Sequence, residues 1–331
     1  MLLGLALTRH CNLRCPHCIR DDVTEVRSLP LGLITRVVDE ALELFGDVTC
    51  SLTGGEPTLH PQWDDLIDSL RERGVGYKMV TNGWHMRRIM PSIDRHPPNG
   101  VRVSLSGATP ETHDEDRGRG SFDRVLLAVA LLTSRQVATG LVMIIDKRNR
   151  HEIRKASDLA EQLGCNWISF ILPQPVPGSA ARSSDLAPAE WVPIRREIEA
   201  IGAESGRKTL VSMDFGAPFD GPEKACDTMA LKRIYVDPDG RMSLCCQLSD
   251  YGFNTRDIVG DLHSTSLRDM YARYLVAMDD LRVKSAPGAG DSPVIDPFPC
   301  LRCAKAQGKL DWLSQFPDSP WATPTTAAIP A

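Results

Sequence analysis

Short runs of Val, Ile and Leu alternate with amphipathic segments through the first two-thirds of this chain, and that alternation is its strongest constraint on fold. The candidate strands are Leu2–Thr8, Val48–Leu52, Tyr77–Thr81, Val101–Ser106, Ala138–Ile145 and Trp167–Ile171. The candidate helices are Leu31–Phe45, Asp64–Arg73, Phe122–Ser134, Glu152–Leu163 and Pro193–Glu204. In the first helix, Ile34, Val37, Val38, Ala41, Leu42 and Phe45 share one face. Pro30 precedes it and Gly46 follows it, the expected punctuation. Ser121 is a plausible N-cap for the third helix. Strands this short, separated by helices, predict a parallel sheet covered by helices. Six units with no reversal signal predict an α/β fold built as an open, partial (β/α)6 TIM-like barrel. The site of such a fold lies at the carboxyl ends of its strands.

The 331 residues suffice for one large domain and a smaller one. A net charge of −5 and a pI of about 5.9 argue against a nucleic-acid-binding protein held by phosphate contacts. No segment approaches the ~20 apolar residues of a membrane span. The apolar start, Met1–Thr8, lacks a basic n-region and a cleavage site, and reads as a buried strand. The expectation is a cytoplasmic protein with reduced thiols. Ten cysteines in such a compartment point first to metal or cluster ligation.

Three of the ten, Cys11, Cys15 and Cys18, fall in one loop after the first strand. A loop can converge three thiolates on neighbouring irons of a cubane, leaving one iron without a protein ligand. An open position lets a metal centre do chemistry as well as hold structure. Spacing alone also admits a zinc site. After the second strand comes Thr53-Gly54-Gly55-Glu56-Pro57, where two glycines permit close backbone approach beside a carboxylate. An ordinary turn has the same composition.

Taken together, Cys11-x3-Cys15-x2-Cys18 and Gly54-Gly55-Glu56-Pro57 resemble the signatures of the radical S-adenosylmethionine (SAM) superfamily. The resemblance implies that Cys11, Cys15 and Cys18 hold a catalytic [4Fe-4S] cluster whose open iron binds SAM. It implies that Gly54, Gly55 and Glu56 position the SAM amino group. His17 stands where the family usually has an aromatic residue, its ring available to adenine. Val103-Ser104-Leu105-Ser106-Gly107 ends the fourth strand; relatives often carry an acid where Ser106 stands, and the resemblance implies hydroxyl contacts of Ser104 and Ser106 to the SAM ribose or carboxylate. Arg117, in a segment like that of relatives with SPASM or twitch extensions, is placed to pair with a carboxylate of SAM or substrate; a solvated Arg fits as well. Thr81-Asn82-Gly83 resembles a common segment of these enzymes and is also an ordinary turn. Cys50 and Cys165 read as small core residues. His60 and His113 read as structural or capping.

A second set follows a Pro/Gly/Ser-rich stretch at 172–188. Cys226-x13-Gly240-x4-Cys245 spans a predicted hairpin, and Cys300-x2-Cys303 lies far along. Four thiolates hold a cluster or a zinc. The pattern resembles the opening of a SPASM or twitch extension, and implies one auxiliary [4Fe-4S] cluster on Cys226, Cys245, Cys300 and Cys303. Cys246 adjoins Cys245 and leaves the choice between them open, with the spacing favouring Cys245. The expected organisation is a radical SAM partial barrel over 1–210, a smaller C-terminal auxiliary-cluster domain over 211–316, and a disordered tail over 317–331.

The resemblance implies reductive cleavage of SAM to a 5′-deoxyadenosyl radical that abstracts hydrogen from substrate. It also implies an external reductant such as flavodoxin or ferredoxin. Only ten residues precede Cys11, so a small polar natural-product intermediate (a sugar, nucleoside or amino acid) is expected ahead of a precursor peptide. A non-enzymatic iron–sulfur electron carrier or zinc-stabilised binding protein explains the thiols, but gives the glycine–glutamate motif no purpose.

Overall fold

The computed structural model describes residues 1–20, 26–176, 186–214, 216, 218, 226–251, 254–289 and 292–322. Seven parallel strands lie side by side in chain order: β1 (Leu2–Ala6), β2 (Thr49–Thr53), β3 (Gly76–Thr81), β4 (Gly100–Leu105), β5 (Thr139–Ile144), β6 (Trp167–Ile171) and β7 (Leu210–Met213). Helices α1 (Leu31–Phe45), α2 (Trp63–Glu72), α3 (Met86–Arg95), α4 (Pro110–Arg117), α5 (Ser121–Thr133), α6 (Ile153–Gln162) and α7 (Trp191–Gly202) fill the connections. This is the open α/β barrel that the alternation predicts. β7 straddles the expected domain boundary at 210.

The sheet continues on its other side. β8 (Arg233–Val236) pairs parallel with β1, and β9 (Arg241–Ser243) and β10 (Ile258–Asp261) follow antiparallel. The cysteine-bearing C-terminal region therefore extends the barrel sheet, which runs β10-β9-β8-β1-β2-β3-β4-β5-β6-β7. α8 (Cys246–Asp250), α9 (Leu267–Lys284) and α10 (Pro299–Ala306) complete it.

Leu3 and Leu5 on β1 are fully buried, as are Cys50 and Leu52 on β2. Truncating such a leucine to alanine costs about 2–5 kcal/mol. α1 lays Ile34, Val37, Val38 and Ala41 into the core, and its end Phe45 meets Tyr271 of α9 edge-on at 5.0 Å.

Some sequence expectations change. Ser121 is the first residue of α5, not its cap. Asp114 takes the capping work, accepting from Gly120 N, Phe122 N and the Ser121 hydroxyl. The sequence pattern predicts neither α3 nor α4: α3 carries Pro91 inside it, and α4 is too polar to show an apolar period. Of the tail, residues 317–322 are described, with Trp321 buried edge-on against Phe298 at 5.0 Å. The rest of that tail, 323–331, and residues 177–185 of the Pro/Gly/Ser-rich stretch lie outside the described residues. No helix among the described residues is long and apolar enough to cross a membrane.

Candidate active site

The Cys11–Cys18 loop leaves the carboxyl end of β1 and is seated on the turn after β2. Gly55 N donates to Thr8 O at 2.7 Å, and Glu56 N donates to His10 O at 2.9 Å. The contact explains both glycines. A Cβ on Gly54 would fall 2.6 Å from Thr8 O, and one on Gly55 would fall 2.3 Å from His10 O. Gly54 also sits at φ +131°, a conformation that L side chains rarely adopt.

Glu56 points inward and is 1% exposed. Its Oε1 accepts from the Thr58 hydroxyl at 2.6 Å, the Thr81 hydroxyl at 2.8 Å and Thr58 N at 3.2 Å; its Oε2 accepts from Asn82 N at 2.8 Å. Burial pushes its pKa up, and these four donors work against that rise. The carboxylate thus ties the end of β2 to the end of β3. Asn82 passes the tie onward, its Nδ2 donating to Asn12 Oδ1 at 2.9 Å and lying 3.9 Å from Cys11 Sγ. Asn82, in a segment that reads both as one common to the resembled family and as an ordinary turn, thus bridges the two motifs. The Asn-Gly signal was visible, but its partners were not.

The three loop cysteines are half-buried. Burial pushes the Cys11 thiol up to about 11, with smaller contributions from Glu56, Cys15 and Cys18. Burial also raises Cys18, where Cys15 adds to the rise and Arg20 opposes it. Thiols that hold their protons this way must release them to a metal, so ligation is coupled to proton release. They fit a thiolate-binding cluster in residue type, in sharing one loop and in mutual closeness. Among the described residues no three His, Cys, Asp or Glu side chains converge as ligands of one ion. Cluster ligands sit on separate irons and stand further apart.

His17 is held by Asp116, Nδ1 to Oδ2 at 3.3 Å, and Asp116 is held in turn by Arg148 at 2.7 Å. Burial lowers the His17 pKa despite that partner. Burial opposes ionisation of Asp116 as well, but His17 and Arg148 outweigh it and keep the carboxyl below its usual range. Ser106 and Arg117 are brought together: Arg117 Nε donates to Ser106 Oγ at 2.7 Å. Ser104 stands half-buried two residues earlier, on β4. His113 is buried, its Nδ1 accepting from Ser106 N at 3.1 Å, and His60 Nε2 bonds Leu29 O at 2.9 Å, so both are structural. Cys50 and Cys165 are buried in the core.

The second set also gathers. Cys300 is raised far above its ordinary pKa, first by burial and then by Cys303, with Asp214, Cys226 and Cys246 also contributing. Cys245 is raised by its hydrogen bond with Cys246 and by burial, with Cys300 contributing. Cys245 precedes α8 and Cys246 opens it; Arg233 Nη1 lies 3.9 Å from Cys246 Sγ. Cys226, Cys245, Cys246, Cys300 and Cys303 are thus close enough to act on one another.

Residues 5–160 match the family model described as the Radical SAM superfamily. An AdoMet-dependent heme synthase of Methanosarcina barkeri is 30% identical over 57% of this chain and 55% of its own length. The chain thus spans about half the length of that relative. A probable GTP 3′,8-cyclase of Metallosphaera sedula is 25% identical over 77% of this chain and 86% of its own. In fold, the chain resembles Streptococcus suis SuiB, solved with its precursor peptide SuiA: TM-score 0.69 and 15% identity, over 82% of this chain and 64% of SuiB.

Proposed function

Given a radical SAM superfamily domain over residues 5–160, we propose that this chain cleaves SAM reductively and uses the resulting 5′-deoxyadenosyl radical to take hydrogen from a substrate. The observation that carries the proposal is the seating of the Cys11–Cys18 loop on Gly54 and Gly55, with Glu56 buried beneath it. Cys11, Cys15 and Cys18 would hold the catalytic [4Fe-4S] cluster. Bound there, the cluster supplies the electron that breaks the sulfonium C–S bond. The protein's part is placement and exclusion of water. Glu56 positions SAM through the turns that it locks, by way of Thr81 and Asn82. His17, Ser104, Ser106 and Arg117 are proposed to contact SAM, with Arg117 presenting its fork from the Ser106 hydroxyl.

Cys226, Cys300 and Cys303, with Cys245 or its neighbour Cys246, would hold one auxiliary [4Fe-4S] cluster in a region from 211 to 316. That cluster would serve electron transfer, substrate binding or sulfur donation. The substrate we favour is a small polar natural-product intermediate. The relative named as a nucleotide cyclase supports this choice, because it aligns over 86% of its length. A precursor peptide is the second reading, favoured by the likeness in fold to SuiB. A flavodoxin or ferredoxin as reductant, and a cytoplasmic location, complete the proposal.

Anaerobic reconstitution tests it. The expected result is about eight irons per chain, with 5′-deoxyadenosine formed on adding SAM and dithionite. Cys15→Ala should abolish that product. Cleavage persisting at the wild-type rate in Cys15→Ala, or a zinc at the first site, would overturn the proposal.

A further inference from the structure

The two cysteine sets are joined by a short polar chain that ligation alone does not require. Arg20 follows Cys18 by two residues, and its side chain is only 8% exposed. Its guanidinium pairs with Asp250 and reaches the Tyr235 hydroxyl at 3.5 Å. That hydroxyl also donates to Asp250 Oδ1 at 3.4 Å. Tyr235 is buried on β8, next to β1 in the sheet. Asp250 is the last residue of α8, and the first is Cys246. One ion pair therefore spans from the loop of the first set to the helix of the second.

The other flank of the loop is tied the same way. Arg9, two residues before Cys11, pairs at 2.5 Å with Asp239 in the β8–β9 turn, where Arg241 joins at 3.1 Å. The inner pair stands between the two sets, its cation two residues from Cys18 and its anion on the short helix that Cys246 opens. A buried ion pair is weak evidence for stability, because desolvation offsets most of its attraction. Its position between two thiol sets gives it a different consequence.

We infer that Arg20 and Asp250 form a positioning pair that fixes the spacing of the two cysteine sets and, by its charge, sets how readily the Cys11–Cys18 site accepts an electron. The inference rests on the function proposed above. A buried cation beside an electron-accepting site favours reduction, and a buried anion opposes it.

The test compares wild type, Arg20→Gln, Asp250→Asn and the double variant, each reconstituted anaerobically. Iron per chain and a redox titration followed by electron paramagnetic resonance are the readouts. Arg20→Gln leaves Asp250 uncompensated and should shift the first site's equilibrium against reduction about tenfold, or about 59 mV for one electron. Asp250→Asn leaves Arg20 uncompensated and should shift it the other way by a similar factor. The double variant, neutral like the intact pair, should return to within about threefold of wild type by the same charge argument. Should Arg20→Gln fail to fold, Asp250→Asn alone decides the sign, and Arg20→Lys should keep the wild-type potential. Unchanged potentials, or single variants that shift the same way, would overturn the inference. A wild-type protein that holds no redox-active first site, or does not cleave SAM, overturns the proposed function instead, and is measured before any variant.

Discussion

Gly55 and His10 are in backbone contact so close that a Cβ on Gly55 would lie 2.3 Å from His10 O. The obstacle is main chain, which cannot rotate away as a side chain can. Gly55→Ala should therefore push the cysteine loop off its seat, at a cost of about 1–3 kcal/mol typical of overpacking. Iron counting after reconstitution should show loss at the first site with the second retained. Full iron at both sites would show that the seat is dispensable.

The buried Glu56 carboxylate accepts four hydrogen bonds, and Glu56→Gln reverses one end of it. Placed at Oε1, an amide nitrogen would meet three donors; placed at Oε2, it would meet Asn82 N. Either orientation leaves a buried donor unsatisfied, at about 1–3 kcal/mol. Denaturant midpoints should fall accordingly, and SAM binding should weaken in parallel. Unchanged stability would mean that the carboxylate is already protonated in the native protein.

His113 should make the fold acid-sensitive. Burial, with the Arg117 charge behind it and Asp114 and Asp116 opposing, pushes its pKa from 6.5 to about 3. The unfolded chain takes up this proton as pH falls below 6.5, whereas the folded chain refuses it until near 3. The stability that the neutral ring contributes is complete above 6.5 and is lost toward pH 3, at about 1.4 kcal/mol per pH unit. His113→Asn offers an acceptor for Ser106 N without the titration. Urea midpoints between pH 7 and 4.5 should fall less steeply in that variant, and parallel slopes would refute the assignment.

Lys309 and Asp257, each 1% exposed, form an ion pair at 2.6 Å, and Ser243 Oγ donates to the same carboxylate at 2.6 Å. Lys309→Met leaves Asp257 charged and buried, which should cost about 3–5 kcal/mol. Adding Asp257→Leu should recover most of that loss, because replacing both charges is often neutral. Guanidinium unfolding of the wild type and the two variants checks the order; equal losses in the single and double variants would show that the charge is not the cause.

The helix Leu31–Phe45 and the strand Trp167–Ile171 were legible residue for residue. Each combines a strong apolar pattern with clear punctuation. α3 was not legible, because Pro91 within it reads as a stop. Nor was β7, four residues long with Leu210 exposed. The cysteine motif and Gly54-Gly55-Glu56 were visible as a site, but not that the Glu56 carboxylate accepts from Thr81 and Asn82 at the end of β3. Its inward direction follows from where the ends of β2 and β3 meet.

Local chemistry was in the sequence alone: three thiols within eight residues, two glycines beside a carboxylate, and strands too short for anything but a covered sheet. Such features need only neighbours along the chain. Tertiary structure decided which distant groups complete them. Arg9 and Arg20 meet aspartates each 230 residues away because β8 returns to pair with β1. No periodicity or spacing carries that information, since a charge on a loop has no register until the sheet brings its partner beside it.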